Sequence, residues 1–167
     1  MHSAVQRWMD RDNAAYAWNS WDLGGEGLRV TADPHRRLMY LRQNMLNEAT
    51  HALRRNGRTP RVALYVCTRS SALDAEEQFA LLRAVAVRRA MRVGAEFTDG
   101  HRPIAVEQRT GLLKALTQVR QGYVDGILCP GFAHISPHLD EYERVLRTTA
   151  ERRWFVALRD PETTVGL

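Results

Sequence analysis

The sequence predicts an α/β fold with an open, mostly parallel sheet flanked by helices, preceded by a helical N-terminal extension. From residue 61 onward, apolar strand-like runs alternate with amphipathic helical stretches, a pattern typical of parallel sheets covered by helices. Short polar breaks with glycine or proline separate these segments. A length of 167 residues suits one such core with an appended segment.

The N-terminal extension is predicted to cover residues 1–58. Its first part contains four aromatic positions and ends at the glycine-rich stretch DLGGEG, which favours a short helix followed by a turn: Trp8, Tyr16, Trp18 and Trp21. A second helix is expected from Asp33 to Asn56, because Asp33 suits the N-cap and Asn56-Gly57 suits the end. One face of this helix is apolar: Leu38, Leu41, Met45, Leu46, Ala49 and Leu53. This stripe predicts core packing, cover for a sheet edge, or an interface with a protein partner or a second copy.

The α/β domain is predicted to cover residues 59–167. Four strands are expected, at 61–68, 95–100, 124–129 and 154–160. Three helices are expected between them, at 73–94, 108–122 and 138–153. Because open parallel sheets bind ligands beyond the carboxyl ends of their strands, the segments of interest are those that follow each strand: CTRSS, TDGHRP, CPGFAHISPH and RDPE.

Four side chains near these segments form a predicted anion site for a phosphate backbone or a nucleotide: Arg69, Arg102, Arg109 and His134. In the alternative interpretation, Arg102 is an ordinary solvated residue and Arg109 pairs with a carboxylate, either Asp99 or Glu107. Histidine suits general base catalysis, but no second member of a catalytic pair accompanies His134. The sequence therefore indicates binding more than catalysis by these groups.

The charge balance is basic, with a net charge of +5 and a pI near 9.8, and Lys114 is the only lysine. Arginine forks match phosphate oxygens in pairs, so this composition favours DNA or another polyanion as a partner. A GC-rich genome produces the same excess of arginine over lysine. No apolar run approaches the roughly 20 residues of a membrane span, and no secretory signal begins the chain, so we expect a cytoplasmic protein without a membrane partner.

No cofactor or metal is expected. Cys129, His134 and His138 are too loosely spaced for a typical metal site, and neither a GxGxxG nor a GxxxxGK phosphate loop occurs. Cys67 and Cys129 fall on predicted core strands, where a reduced thiol behaves as a small apolar group. The sequence thus gives little support to a dinucleotide-binding enzyme or an NTPase.

From about Arg61 to Pro161, the chain resembles the catalytic domain of the serine recombinases, the resolvase and invertase family. Tyr65 and Gln78 keep the family's usual separation, and the stretch RTGLLKALTQVRQGYVDGIL is similar to the family's middle helix and strand through Arg109, Gly111, Leu112, Gly122 and Asp125. The resemblance implies a resolvase-like sheet. It also implies a family chemistry in which a serine attacks a DNA phosphodiester while arginines stabilise the phosphoryl oxygens.

The reactive positions depart from this family pattern. Counted from Tyr65, the family's first arginine falls on Cys67 and its nucleophilic serine on Arg69. In the later loop, the family's aspartate and two arginines fall on Ala133, His134 and Pro137. Loss of one transition-state donor typically costs about 3 kcal/mol, roughly a hundredfold in rate, and several are absent together here. The resemblance therefore implies a degenerate domain without strand-cleaving activity, acting as a binding or regulatory module.

Other hypotheses remain open at this point. A two-residue slip in the alignment makes Ser71 the nucleophile of a divergent active recombinase. Ser70 and Ser71 also suit a simpler role, capping the amides of the helix that follows. The remaining alternatives are a small hydrolase using another part of the crevice and a self-associating structural protein. The family's long dimerisation helix and DNA-binding module have no counterpart in the sequence, so we expect a domain without them.

Overall fold

Four parallel strands form the sheet of the computed structural model, which describes residues 33–68, 72–100 and 105–164. β1 (Arg61–Thr68) lies between β2 (Arg92–Gly100) and β3 (Gly126–Cys129), and β4 (Phe155–Leu158) pairs with β3, which gives the order β2-β1-β3-β4. All three strand pairings are parallel. The prediction of an α/β fold with an open parallel sheet is confirmed.

The helices of the described residues follow the predicted alternation. They are α1 (Pro34–Arg55), α2 (Ala72–Arg88), α3 (Thr110–Arg120), the short α4 (Phe132–Ile135) and α5 (Leu139–Glu151), with a 3-10 turn at Val106–Gln108. None of these helices combines the length and apolar character needed to cross a membrane.

The end of α2 differs from the prediction. The helix stops at Arg88 and not at residue 94, because Ala90 adopts a left-handed conformation with φ of 51°. The amide of Met91 then donates to the carbonyl of Ala86 at 2.9 Å, which closes the helix. β2 consequently begins at Arg92, three residues earlier than predicted.

Helices cover both faces of the sheet. On one face, α2 and part of α1 pack on alternate strand residues in a single core cluster, whose strand members are Val62, Leu64, Val66, Leu128, Phe155 and Ala157. Strand residues of the other parity, such as Tyr65 and Ile127, point to the opposite face, where α3 contacts β1, β2 and β3 and α5 contacts β4. β1, β3 and β4, whose sequences are nearly continuously apolar, are therefore buried between two helical layers, whereas the edge strand β2 is largely exposed.

α1 is packed against the sheet within the compact unit that begins at Asp33. The Asp33 carboxylate accepts a hydrogen bond from the His35 amide at 3.0 Å, which caps the helix as predicted. The apolar stripe is core: Leu38, Leu41 and Met45 are buried, and the next members pack on the core cluster. The helix lies against β4, an edge strand. The structure describes the extension predicted for residues 1–58 only from residue 33 onward, and the helix predicted before that lies outside the described residues.

Candidate functional site

The carboxyl ends of the four strands bring two of the four predicted anion-site residues together. Arg109 precedes α3 and His134 lies in α4, and the Arg109 guanidinium donates from Nη1 to the carbonyl oxygen of His134 at 2.9 Å. Arg69 and Arg102 lie outside the described residues, as do Ser70 and Ser71. The anion-binding role of the four residues thus stays a prediction.

Arg109, one of the four residues of the predicted anion site, is only 8% exposed. Besides the His134 carbonyl, the same Nη1 donates to the carbonyl of Ile135, the last residue of α4. Arg109 therefore stabilises the loop after β3 by satisfying carbonyls at the end of a short helix. A guanidinium engaged in this way is held in place for structure as well as for any ligand.

His134 is held as a neutral imidazole. Its Nδ1 accepts a hydrogen bond from the backbone amide of Cys67 at 3.1 Å, so that nitrogen has no proton. Burial, together with the positive charges of Arg159 and Arg109, lowers the pKa of His134 to about 4, although Asp160 acts in the opposite direction. The side chain that the resemblance assigns to a family arginine position is therefore uncharged at neutral pH.

Asp99, at the end of β2, organises the start of α3. Its carboxylate accepts from the amides of Gly111 at 2.7 Å and Leu112 at 2.9 Å, and from the Tyr65 hydroxyl at 2.9 Å. Burial, with Asp99 and Cys67 nearby, raises the pKa of Tyr65, which therefore stays a hydrogen-bond donor. The sequence indicated Asp99 only as a possible partner for Arg109. No local spacing rule could have linked it to amides that lie 12 and 13 positions further along the chain.

Arg159 lies at this edge, in the segment RDPE, and was not among the four residues predicted for the anion site. It follows β4 directly and donates from Nη1 to the Oε1 of Gln78 at 2.9 Å, while Nη2 lies 2.7 Å from the Asp160 carboxylate. Its charge also acts on His134. The available signal was its position, one residue past the carboxyl end of a strand.

The other positions of the family loop bring no donor to this edge. Ala133 and Pro137 are exposed and have no polar side-chain group. Both Cys67 and Cys129 are free thiols, and burial raises the pKa of Cys129, which makes it a poor nucleophile. Within residues 33–68, 72–100 and 105–164, no group of three or more His, Cys, Asp or Glu side chains is arranged to hold a metal ion.

The environment of His134 predicts a pH dependence of stability. Because the folded-state pKa is about 4 and the ordinary value is 6.5, the unfolded chain binds more protons between these values, and the free energy of unfolding should fall as the pH falls from 6.5 towards 4. One such group contributes at most about 1.4 kcal/mol per pH unit. Urea unfolding at several pH values measures this slope.

The variant His134→Gln should lose this part of the slope, because glutamine does not titrate. His138→Gln is the matched control, since His138 lies four residues away and is exposed. Equal slopes for the parent and His134→Gln between pH 4 and 6.5 would contradict the prediction.

Comparison with solved structures found chains of similar fold. The C-terminal catalytic domain of ISC1926 TnpA, an IS607-like serine recombinase, aligns with a TM-score of 0.51 and 24% identity over 60% of this chain and 70% of that one. The N-terminal catalytic domain of TP901-1 integrase aligns with a TM-score of 0.49 and 16% identity over 57% of this chain and 72% of that one. Models of known protein families and curated protein sequences gave no match. The likeness to the first domain shows the fold that the sequence resemblance implied.

Proposed function

We propose that this chain, whose fold is that of a serine recombinase catalytic domain, does not cleave DNA strands and acts instead as a binding or regulatory module. The observation that supports this most is the state of His134. Where the resemblance assigns an arginine, the chain has a mostly buried imidazole with a pKa of about 4. A neutral ring cannot neutralise the charge that develops on a phosphoryl group.

The surroundings of His134 support the same conclusion. The Cys67 amide occupies Nδ1, so the ring is oriented by the strand and not by a ligand. Arg109 already donates to two loop carbonyls. Preorganised charge usually makes the largest contribution to catalysis of phosphoryl transfer. An edge that has Cys67, His134 and Pro137 at the positions that the resemblance assigns to arginines is therefore poorly suited to this reaction.

The partner that we propose is DNA, bound through the basic edge at the carboxyl ends of the strands. The net charge of +5 favours a polyanion, and Arg159 at this edge is 24% exposed. Arg69 and Arg102 belong to segments that follow β1 and β2, so they are expected to lie at the same edge. A protein partner or self-association is the competing outcome of the tests below.

To test for cleavage, the protein is incubated with supercoiled DNA and with nicked DNA and is then denatured. Any covalent protein–DNA adduct that survives denaturation shows that a strand has been cleaved. We expect none with the parent or with Ser71→Ala. An adduct formed by the parent and lost in Ser71→Ala would contradict the proposal and identify a divergent active recombinase. An adduct that persists in Ser71→Ala would contradict it as well, with another nucleophile.

Binding is tested by measuring the affinity for duplex DNA at several salt concentrations. The double variant Arg69→Gln/Arg102→Gln should bind more weakly and with a salt slope smaller by about two, since each phosphate contact contributes about one. Arg120→Gln is the control, because Arg120 ends α3 and is exposed. Salt-insensitive or absent DNA retention, together with a dimer in sedimentation, would favour the structural alternative.

A further inference from the structure

A cleft with a basic lining lies between α1 and the end of β4, and neither Arg109 nor His134 lines it. It is a cleft of about 360 Å³, a size at the lower end of the roughly 300–1,000 Å³ of small-molecule sites. Three arginines are among the residues that line it, and they come from three different parts of the chain: Arg42, Arg89 and Arg159. Such convergence of cations from separate elements is not a property of one helix face.

Two of these arginines have carboxylate partners. Arg42 forms a bidentate pair with Glu162, with Nε–Oε1 and Nη2–Oε2 distances of 2.6 and 3.0 Å, and both side chains are almost fully buried. Arg159 is paired with Asp160 at 2.7 Å. Both guanidinium groups are therefore largely engaged by partners within the chain, since Arg159 also donates from Nη1 to Gln78.

Arg89 differs from them. Among the described residues, its guanidinium forms no salt bridge or side-chain hydrogen bond, although it is partly buried. Its backbone is fixed, because its carbonyl accepts a hydrogen bond from Arg54 at 2.9 Å and its amide donates to the Val85 carbonyl at 3.0 Å. Burial and the nearby charges of Arg42 and Arg88 lower the pKa of this guanidinium. An anion beside it would relieve this cost.

The rest of the lining suits an organic phosphate. The amide side chains of Gln43 and Asn47 offer further donors from α1, and Leu46 and Leu158 form an apolar part of the wall. A phosphate has three terminal oxygens for these donors, whereas a carboxylate has two. The apolar wall can contact the group to which the phosphate is attached.

We propose that this cleft binds a phosphate monoester of mononucleotide size. The proposal does not rest on the DNA-binding function above. Arg159 belongs to both places, so the test uses Arg89, which lines the cleft and has no part in the proposed DNA-binding edge. The two proposals fail separately, because Arg89→Gln is expected to weaken the small ligand alone and Arg69→Gln/Arg102→Gln to weaken DNA alone.

The test is titration calorimetry of the full chain at low ionic strength with a nucleoside 5′-monophosphate, the parent nucleoside, inorganic phosphate and acetate. We expect saturable binding of the monophosphate, weaker binding of inorganic phosphate, and none of the nucleoside or acetate. Arg89→Gln should weaken monophosphate binding about tenfold or more, the usual effect of losing a hydrogen bond to a charged group. Arg88→Gln, at the neighbouring exposed position, should change it less than about twofold.

A second variant distinguishes the loss of the binding site from a loss of folding. Gln43→Glu places a carboxylate in the cleft, which should pair with Arg89 and so weaken monophosphate binding without lowering the thermal midpoint. No saturable binding by the parent, equal loss in Arg88→Gln and Arg89→Gln, or equal affinity for the nucleoside and its monophosphate would each overturn the proposal. Equal affinity for inorganic phosphate and the monophosphate would overturn the assignment of an ester.

Discussion

Replacing Glu162 with alanine is expected to lower the free energy of unfolding by about 3–5 kcal/mol, the range for breaking a buried ion pair from one side. Glu162 is 1% exposed, and it accepts hydrogen bonds from Arg42 and, at 2.7 Å, from the Tyr142 hydroxyl. Removal of the carboxylate leaves the Arg42 charge buried without compensation. Urea unfolding followed by circular dichroism measures the loss.

Two further variants separate this effect from general sensitivity. Glu76→Ala removes an exposed partner of Arg83 and should have little effect, because surface ion pairs contribute little. The double variant Arg42→Met/Glu162→Leu should recover most of the loss, since apolar residues of similar volume often replace a buried pair without cost. Recovery should be incomplete, because the Tyr142 hydroxyl loses its acceptor. A loss for Glu162→Ala no larger than that of Glu76→Ala would contradict the prediction.

Replacing Gly111 with alanine is expected to destabilise the fold by roughly 1–3 kcal/mol or more, the usual cost of overpacking. A Cβ atom at this position would lie 2.5 Å from the carbonyl oxygen and 2.8 Å from the carbonyl carbon of Thr98. These are backbone atoms of β2, so relief requires α3 to move away from the strand. That movement would also lengthen the hydrogen bonds from Gly111 and Leu112 to the Asp99 carboxylate.

Gly131→Ala is the matched control for this substitution. Gly131 has an extended backbone that any residue adopts, and a Cβ there meets no atom within 4 Å. The free energy of unfolding of Gly131→Ala should be nearly that of the parent. Thermal melts of the two variants measure the change in stability. Hydrogen-exchange rates of the amides at positions 111 and 112 report whether their hydrogen bonds to Asp99 have lengthened. Equal stability of the two variants would show that α3 can shift at no cost.

Much of the fold could be predicted because its signals are local. The stripe of α1 and the apolar run of β1 have the periodicity of their elements, and both lie where the sequence indicates. The end of α2 could not be predicted, because Ala90 adopts a left-handed conformation without the glycine that usually marks it. The four-residue α4 was also missed, since one turn is too short for any periodicity.

The candidate site was predictable in position and not in contacts. The strand order of a parallel sheet is enough to bring Arg109 and His134 to one edge. The partners that define their chemistry, the Ile135 carbonyl and the Cys67 amide, belong to other elements and depend on how the helices pack. For the same reason, no local pattern in the sequence marks Arg89, because the α1 residue that contacts it, Arg54, lies 35 positions away.

The parallel arrangement of the strands has a consequence for how the chain acquires its structure. Neighbouring strands are joined through intervening helices, so no pairing in the sheet can start as a hairpin, and Val62 of β1 pairs with Gly126 of β3. The Arg42–Glu162 contact spans 120 positions of sequence. Such non-local contacts are made late, after the entropy of closing long loops has been lost, and folds rich in them form more slowly than helical bundles of similar size. In a newly made chain, the apolar strand segments would therefore stay exposed until β4, the last strand, has been synthesised and paired.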